Sequence, residues 1–246
     1  KQIAALTSVQ IAGLEDGQID SLTTAQIVNI DPKALKGLTV DQLAGFSSAQ
    51  IAALTDKQLA ALTTAQIAAF SPDEMEGFTS KQMALLTSAQ IAAFTEDQLD
   101  ALSDELDDIS LKALAGFTSD QIAGLDDAQV GHLSTVEMAA LTSKQLLGFT
   151  EANIDALTTK QLRVLNSAQL AAFTPDELGA FDDAQIGALS STAIRGLTAA
   201  QFGGFSLESM DSWNSRQLAA LTSTQVAALS DEQIDALKDG DIAFLS

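Results

Sequence analysis

The chain has 246 residues, and its 33 acidic residues against 12 basic ones give a formal net charge of −21. Because nucleic acids and anionic membranes are bound through Lys and Arg, this acidity predicts that neither is a partner. The chain has no Cys, no apolar run long enough to cross a bilayer and no phosphate-binding glycine motif, so we expect no disulfides, no membrane insertion and no enzyme activity.

One eight-residue unit, the octad, repeats thirty times between Thr7 and Leu245. Its commonest form is T-x-x-Q-I-A-A-L, and we number its positions 1 to 8 from Thr7. A single short copy, Ser103 to Ile109, has seven residues. A short fixed period that covers a whole chain is typical of stacked repeat proteins, so we predict one continuous repeat array over residues 1–246.

The first half of the octad carries helix-start signals. Position 1 is Ser, Thr, Asp or Asn in 28 of the thirty octads, and position 4 is Gln in 20 and Glu in three more. Ser, Thr, Asp and Asn are the preferred N-caps, and a Gln or Glu three residues later completes a capping box. Pro32, Pro72 and Pro175 all fall at position 2, the first helical position, where a missing N–H costs nothing. Each octad is therefore predicted to begin a helix.

The second half of the octad carries the predicted core. Positions 5 and 8 are apolar in every octad, and their spacing places them on one helical face. Positions 6 and 7 are mostly Ala or Gly, which would let neighbouring backbones approach closely. Glycine at position 7 is expected to ease the exit from the helix, as at Gly37, Gly45, Gly116 and Gly124. A β-solenoid is the alternative, but Ala, Gln and helix caps are poor strand residues.

These patterns predict an all-α fold, an α-solenoid of about thirty very short capped helices in the form of an elongated rod or superhelix. A helix of seven residues is unstable alone, so each is expected to persist only by packing positions 5 and 8 on its neighbours. The sequence leaves open whether two or three helices make one coil.

Acidic residues are concentrated in a few octads, and the short copy alone holds four of them. Clustered carboxylates suit Ca²⁺, so the candidate ligands are Asp104, Glu105, Asp107 and Asp108. The twelve-residue loop of a Ca²⁺-binding helix pair is absent, and a local bend in the solenoid is the simpler interpretation. No other cofactor is predicted. The acidic pairs Asp126-Asp127 and Asp182-Asp183 stand at positions 1 and 2, where carboxylates stabilise a helix N-terminus.

His132 and Trp213 are the only residues of their types. One His without Cys makes no transition-metal site, and Trp213 stands at position 8, where most octads have Leu or Phe. Both are predicted to be structural.

The run of L-T-x-x-Q-I-A-A-L phrases resembles the octad arrays of very large bacterial surface or secreted proteins, which are adhesin-like in organisation. The resemblance covers essentially the whole chain. It implies an extracellular or cell-surface location and a structural role, as a stalk, spacer or filament-forming segment of a larger protein.

The alternative function is a binding module whose surface holds a peptide, a glycan or Ca²⁺, as larger α-solenoids do. Surface positions 2, 3 and 6 carry varied Asp, Lys, Ser, Thr and Ala with almost no aromatics, which favours the scaffold. Lys1 stands at position 3 of an octad and Ser246 at position 1, so we also predict head-to-tail self-association through these ends.

Overall fold

The computed structural model describes residues 3–102, 106–237 and 242–245. Within these ranges every regular element is an α-helix or a 3₁₀-helix, and no strand is present. The all-α prediction is confirmed, and the β-solenoid alternative is wrong. The chain divides into two compact units, Lys1–Phe117 and Thr118–Ser246. The prediction of one continuous array over residues 1–246 stays a prediction.

In the first unit the octads form short α-helices, with 3₁₀-helices at Ile3–Ala5 and in the short copy at Leu106–Asp108. The α-helices are α1 (Ser8–Ala12), α2 (Asp16–Asp20), α3 (Thr24–Ile27), α4 (Pro32–Leu35), α5 (Val40–Leu43), α6 (Ser48–Ala52), α7 (Asp56–Leu59), α8 (Thr64–Ile67), α9 (Pro72–Met75), α10 (Ser80–Leu85), α11 (Ser88–Ile91), α12 (Glu96–Asp100) and α13 (Leu111–Leu114).

The second unit follows the same rule and has a 3₁₀-helix at Ile242–Phe244. Its α-helices are α14 (Ser119–Ala123), α15 (Asp127–His132), α16 (Thr135–Ala140), α17 (Ser143–Leu146), α18 (Glu151–Ala156), α19 (Thr159–Val164), α20 (Ser167–Leu170), α21 (Pro175–Gly179), α22 (Asp183–Ala188), α23 (Ser191–Ile194), α24 (Ala199–Phe202), α25 (Leu207–Met210), α26 (Ser215–Leu218), α27 (Ser223–Val226) and α28 (Asp231–Ala236).

The helices begin where the octads predict. The Thr63 hydroxyl accepts the N–H of Gln66, and the Gln66 Oε1 accepts the N–H of Thr63 at 2.9 Å, a reciprocal box that most octads repeat. Helices α4, α13 and α23 have Ala at position 4, so their caps Asp31, Ser110 and Ser190 act alone. Capping satisfies donors that a four-residue helix would otherwise leave unpaired, so these helices depend on it more than long ones do.

The helices of each unit stack with a period of three octads. In the first unit, stack A contains α1, α4, α7 and α10, stack B contains α2, α5, α8, α11 and α13, and stack C contains α3, α6, α9 and α12. In the second unit, stack D contains α14, α17, α20, α23 and α26, and pairs such as α15 with α18 and α16 with α19 keep the same interval. Three helices therefore make one coil, which decides the question that the sequence leaves open.

The core consists of positions 5 and 8, as predicted. From the third octad to the twenty-seventh, every residue at these two positions is buried. Successive position 8 rings can pack edge to face, as Phe70 does with Phe78 at a centroid distance of 5.5 Å. Burial of each such side chain stabilises the fold by about 1.5–3 kcal/mol, so the stability of a short helix comes from its neighbours.

Of the two roles predicted for glycine at position 7, the close approach of neighbouring backbones is confirmed and the easing of the helix exit is wrong. No described residue has a positive φ, and Gly124 ends its helix at a φ of −79°, so these exits need no glycine conformation. What several of these glycines provide is space. A Cβ added to Gly37 would lie 2.0 Å from the Ser8 carbonyl oxygen, and one added to Gly148 would lie 2.1 Å from that of Ser119. The last turn of one helix thus meets the first turn of the helix three octads earlier without room for a side chain.

The close contact between a position 7 glycine and a serine backbone recurs at a longer interval. Gly37, Gly116 and Gly196 follow one another at intervals of ten octads. Each of their octads also has Ala at position 4, and each glycine abuts a serine at position 2 of the octad three places earlier, namely Ser8, Ser88 and Ser167. One type of octad, with Ala at position 4 and Gly at position 7, therefore recurs every ten octads.

We predict that Gly148→Ala destabilises the second unit by about 1–3 kcal/mol, because the new methyl group would collide with the Ser119 backbone. Gly131→Ala is the matched control, since nothing lies within 4 Å of an added Cβ there and Ala favours a helix. Urea unfolding followed by circular dichroism measures both. Equal stability of the two variants would contradict the role assigned to the close approach.

Candidate functional site

The predicted Ca²⁺ ligands are only partly covered by the structure. Asp104 and Glu105 lie outside the described residues, as does the side chain of Asp107, while Asp108 ends a 3₁₀-helix and is partly exposed. Among the described residues no group of three or more His, Asp or Glu is placed to hold a metal ion. The Ca²⁺ site stays a prediction, and a melting temperature that EDTA leaves unchanged would contradict it.

In the acidic pairs at positions 1 and 2, the carboxylate at position 1 caps the helix. Asp126 Oδ1 accepts the N–H of Gln129 at 2.8 Å, and Asp182 Oδ1 accepts that of Gln185 at 2.7 Å. These carboxylates therefore have a structural partner in their own helices.

His132 and Trp213 differ in their surroundings. His132 is exposed in the last turn of α15. Trp213 is buried and packs on Phe202 and Phe205, each at a ring distance of 5.1 Å. Its indole Nε1 is buried and has no hydrogen-bond partner in the described part of the chain. Trp213 is thus a core residue, as predicted.

The polar feature that organises the fold is the glutamine at position 4. In Gln66 the side-chain Oε1 closes the capping box of its own helix. The Nε2 of the same amide donates to the carbonyl oxygens of Leu35 at 2.8 Å and Leu38 at 2.9 Å. These are positions 5 and 8 of the octad four places earlier. One buried amide therefore joins the start of one helix to the end of another.

This glutamine ladder recurs through both units. The side-chain amide nitrogen donates to carbonyls of the octad four places earlier in the following residues: Gln42, Gln50, Gln58, Gln66, Gln82, Gln90, Gln98, Asn153, Gln161, Gln169, Gln185, Gln201, Gln217, Gln225 and Gln233.

The ladder answers a problem that short helices create. A helix leaves carbonyl groups without an intrahelical partner in its last turn, and here those carbonyls lie in the interior between coils. The position 5 carbonyl also accepts the position 8 N–H of its own octad, as Leu35 does from Leu38 at 3.0 Å, so the position 8 carbonyl is the acceptor that depends most on the ladder. A buried carbonyl without a partner costs about 1–3 kcal/mol. Because helices stack at an interval of three octads and the amides reach back four, each amide also bridges adjacent stacks. The ladder therefore joins each coil to the one before it and also joins adjacent stacks.

Glutamate at position 4 cannot complete the ladder, because a carboxylate has no N–H to donate. Glu74 keeps the capping box, accepting the N–H of Ser71 at 2.6 Å. In the register of the ladder, a glutamine here would donate to the octad four places earlier, where Leu43 and Phe46 hold positions 5 and 8. Burial raises the pKa of the Glu74 carboxyl above its ordinary value, although the hydrogen bonds from Ser71 act in the opposite direction.

The sequence carries a signal for the ladder that capping alone does not explain. A capping box uses only the acceptor oxygen of the position 4 side chain, so Gln and Glu serve equally. Gln outnumbers Glu by 20 to three in a chain that is otherwise strongly acidic. That excess indicates that the amide N–H groups have a partner of their own.

Two comparisons were made with known proteins. A model of the ALTTAQ repeat family matches residues 35–72, 150–182 and 214–246, the first segment in the first unit and the others in the second. Its name appears letter for letter at residues 61–66, which run from position 7 of one octad to position 4 of the next. No curated protein matches the chain. The chain is a repeat protein by this criterion. In the described ranges, no helix is long and apolar enough to cross a bilayer.

We predict that Gln66→Glu destabilises the first unit by about 3 kcal/mol or more, because it replaces two donated hydrogen bonds by a charge that faces carbonyl oxygens. Gln26 is the matched control. It stands in the same sequence, Thr-Thr-Ala-Gln-Ile, but is exposed, and among the described residues its side chain bonds only to Thr23. Gln26→Glu should change the free energy of unfolding by less than about 0.5 kcal/mol. Similar losses in the two variants would show that capping alone matters.

We predict that Glu74→Gln stabilises the first unit, and more so at pH 7 than at pH 4. The raised pKa means that folding favours the protonated carboxyl, so this residue supports the fold fully below its unfolded pKa, and that support is lost as pH rises through its folded pKa. The gain at pH 7 should be about 1–3 kcal/mol. Glu76→Gln, an exposed position in the same octad, makes the same change of net charge. A gain that does not vary with pH relative to this control would overturn the assignment.

Proposed function

We propose that this chain is a structural repeat scaffold, a stalk, spacer or filament-forming segment of a larger extracellular bacterial protein, and that it has no catalytic role. The observation that carries the proposal is the glutamine ladder. Glutamine is the most frequent buried polar side chain in each unit, and here it joins one coil to the next. A protein segment that serves as a spacer of regular length needs such a repeated joint.

The rest of the buried side chains support the same conclusion. The core repeats positions 5 and 8 from octad to octad, and the polar residues buried with it are almost all at position 4. Catalytic and ligand sites usually need convergent polar groups in an enclosed pocket with perturbed pKa values. Glu74, the buried carboxyl with a raised pKa, is accounted for by its place in the ladder.

The extracellular location and the filament role rest on the resemblance to bacterial surface arrays. Lys1 and Ser246 lie outside the described residues. In a filament, the repeats of one copy would stack on those of the next in a heterologous head-to-tail contact. This contact is part of the proposal.

If the chain is a scaffold, one whole coil of three octads can be removed and the remaining chain should fold and be shorter. Deletion of residues 150–173, which are three octads, should leave a folded chain whose maximum dimension in small-angle scattering is shorter by about 9 Å, the distance between packed helices. Deletion of residues 150–169 is the control, because it breaks the octad register and should destroy cooperative unfolding. The same scattering samples over a concentration series report head-to-tail growth. A three-octad deletion that unfolds the chain, or leaves its dimension unchanged, would contradict the proposal.

A further inference from the structure

A groove between α23 and α26 in stack D concentrates positive charge. It has a volume of about 460 Å³ and is lined by Ser191, Thr192, Arg195, Arg216 and neighbouring alanines. The chain has only three arginines, and two of them line this groove. Two guanidinium groups on one groove are unusual in a chain with a net charge of −21.

One of the two guanidinium groups is held in place by the backbone. Arg195 Nε donates to the carbonyl oxygen of Ala220 at 3.1 Å, and Ala220 belongs to the octad of α26. With Nε engaged, the two terminal nitrogens of a guanidinium remain as a planar pair of donors, the geometry that binds a carboxylate or phosphate through two oxygens. Holding the side chain lowers the entropy that binding would otherwise cost.

A groove in the first unit shares three lining positions with this one, and there a carboxylate pairs with the cation. Between α7 and α10 a groove of about 540 Å³ is lined by Asp56, Lys57 and Lys81. Lys81 Nζ lies 2.8 and 3.0 Å from the two carboxylate oxygens of Asp56. The ammonium at position 3 of one octad thus pairs with a carboxylate at position 2 of the octad three places before.

The groove between α23 and α26 also has a cation at position 3 of the later octad, but it has no carboxylate at position 2 of the earlier one. Arg216 stands at position 3, and Ser191, at position 2 of the octad three places before, stands where the first unit has Asp56. A second cation, Arg195, is added. Among the described residues, α14, α17, α20, α23 and α26 with their caps carry three cations, Lys144, Arg195 and Arg216, against the single carboxylate of Asp120, so stack D has a local excess of two positive charges.

We propose that the groove between α23 and α26 binds a carboxylate group of an external ligand, in the place that Asp56 occupies in the first unit. The carboxylate would accept from the Arg195 and Arg216 guanidinium groups and from the Ser191 or Thr192 hydroxyl. Such a ligand is an acidic peptide or a free carboxylate. The site goes beyond a scaffold role, and its failure would leave the scaffold proposal intact.

The three arginines make the test direct. In the full chain labelled with ¹⁵N, the arginine Nε–H signals number three, and single substitutions assign them. On titration with acetate, and separately with a short Asp- and Glu-rich peptide, the Arg195 and Arg216 signals should shift and saturate. Arg163, on α19, is the internal control and should not saturate. A stronger response to the peptide than to acetate identifies a peptide partner, and equal responses identify a free carboxylate.

Two variants separate a built site from general charge attraction. Ser191→Asp should supply an internal carboxylate to Arg216, as Asp56 does to Lys81, and weaken acetate binding at least fivefold. Lys160→Ala with Arg163→Ala changes the charge of α19 and should leave the affinity within twofold. Circular dichroism melting shows that both variants fold.

Three results would overturn the site. The first is the absence of saturable shifts at Arg195 and Arg216 up to about 100 mM acetate or with the peptide, about the weakest affinity that a two-arginine contact would give. The second is an equal, linear response of all three arginines, which is ionic screening. The third is Ser191→Asp binding as tightly as the unchanged chain, or inorganic phosphate binding more tightly than either carboxylate probe.

Discussion

The rest of this fold depends on a side-chain amide whose oxygen and nitrogen are both hydrogen-bonded to the backbone. The position 4 glutamine accepts the N–H of the N-cap residue of its own helix and donates to carbonyls at the end of a helix four octads earlier. Helices as short as these have more unpaired backbone groups than paired ones, and they cannot be buried unless those groups find partners. The amide meets this need from both ends at once. Burial of positions 5 and 8, and with it the stability of the stack, then becomes possible.

The helices and the core can be predicted from the sequence, because they depend on residues within one octad. Caps, prolines and the apolar pair identify the helix starts and the core. The number of helices per coil cannot be predicted from one octad, since coils of two or three helices would bury positions 5 and 8 equally well. That number depends on contacts between octads three and four places apart. Gly148 shows the limit: its presence is visible in the sequence, but its reason, the backbone of Ser119, is visible only once the stacks are known.

The groove on stack D is hidden from the sequence for the same reason. Arg195 and Arg216 belong to octads three places apart, and nothing local relates them. The three-octad interval brings them to one groove and sets Ser191 at the position that corresponds to Asp56 in the first unit. A regular scaffold makes such comparisons informative, because each octad acts as a reference for the others. Departures from the repeat, such as an arginine pair in an acidic chain, therefore stand out as places where a partner could bind.

The ladder also has a direction. In each of its hydrogen bonds the donor belongs to the later octad and the acceptors to the earlier one. A polypeptide is made from its N-terminus, so every new octad meets acceptors that have already been synthesised and ordered. Folding in this order would add one octad at a time: each new amide finds its acceptor carbonyls already synthesised, and the carbonyls of the newest four octads stay without their ladder donor until the next octads follow. The apolar surface exposed at any moment is then limited to the newest coil, which lowers the risk of aggregation during the production of a long repeat chain.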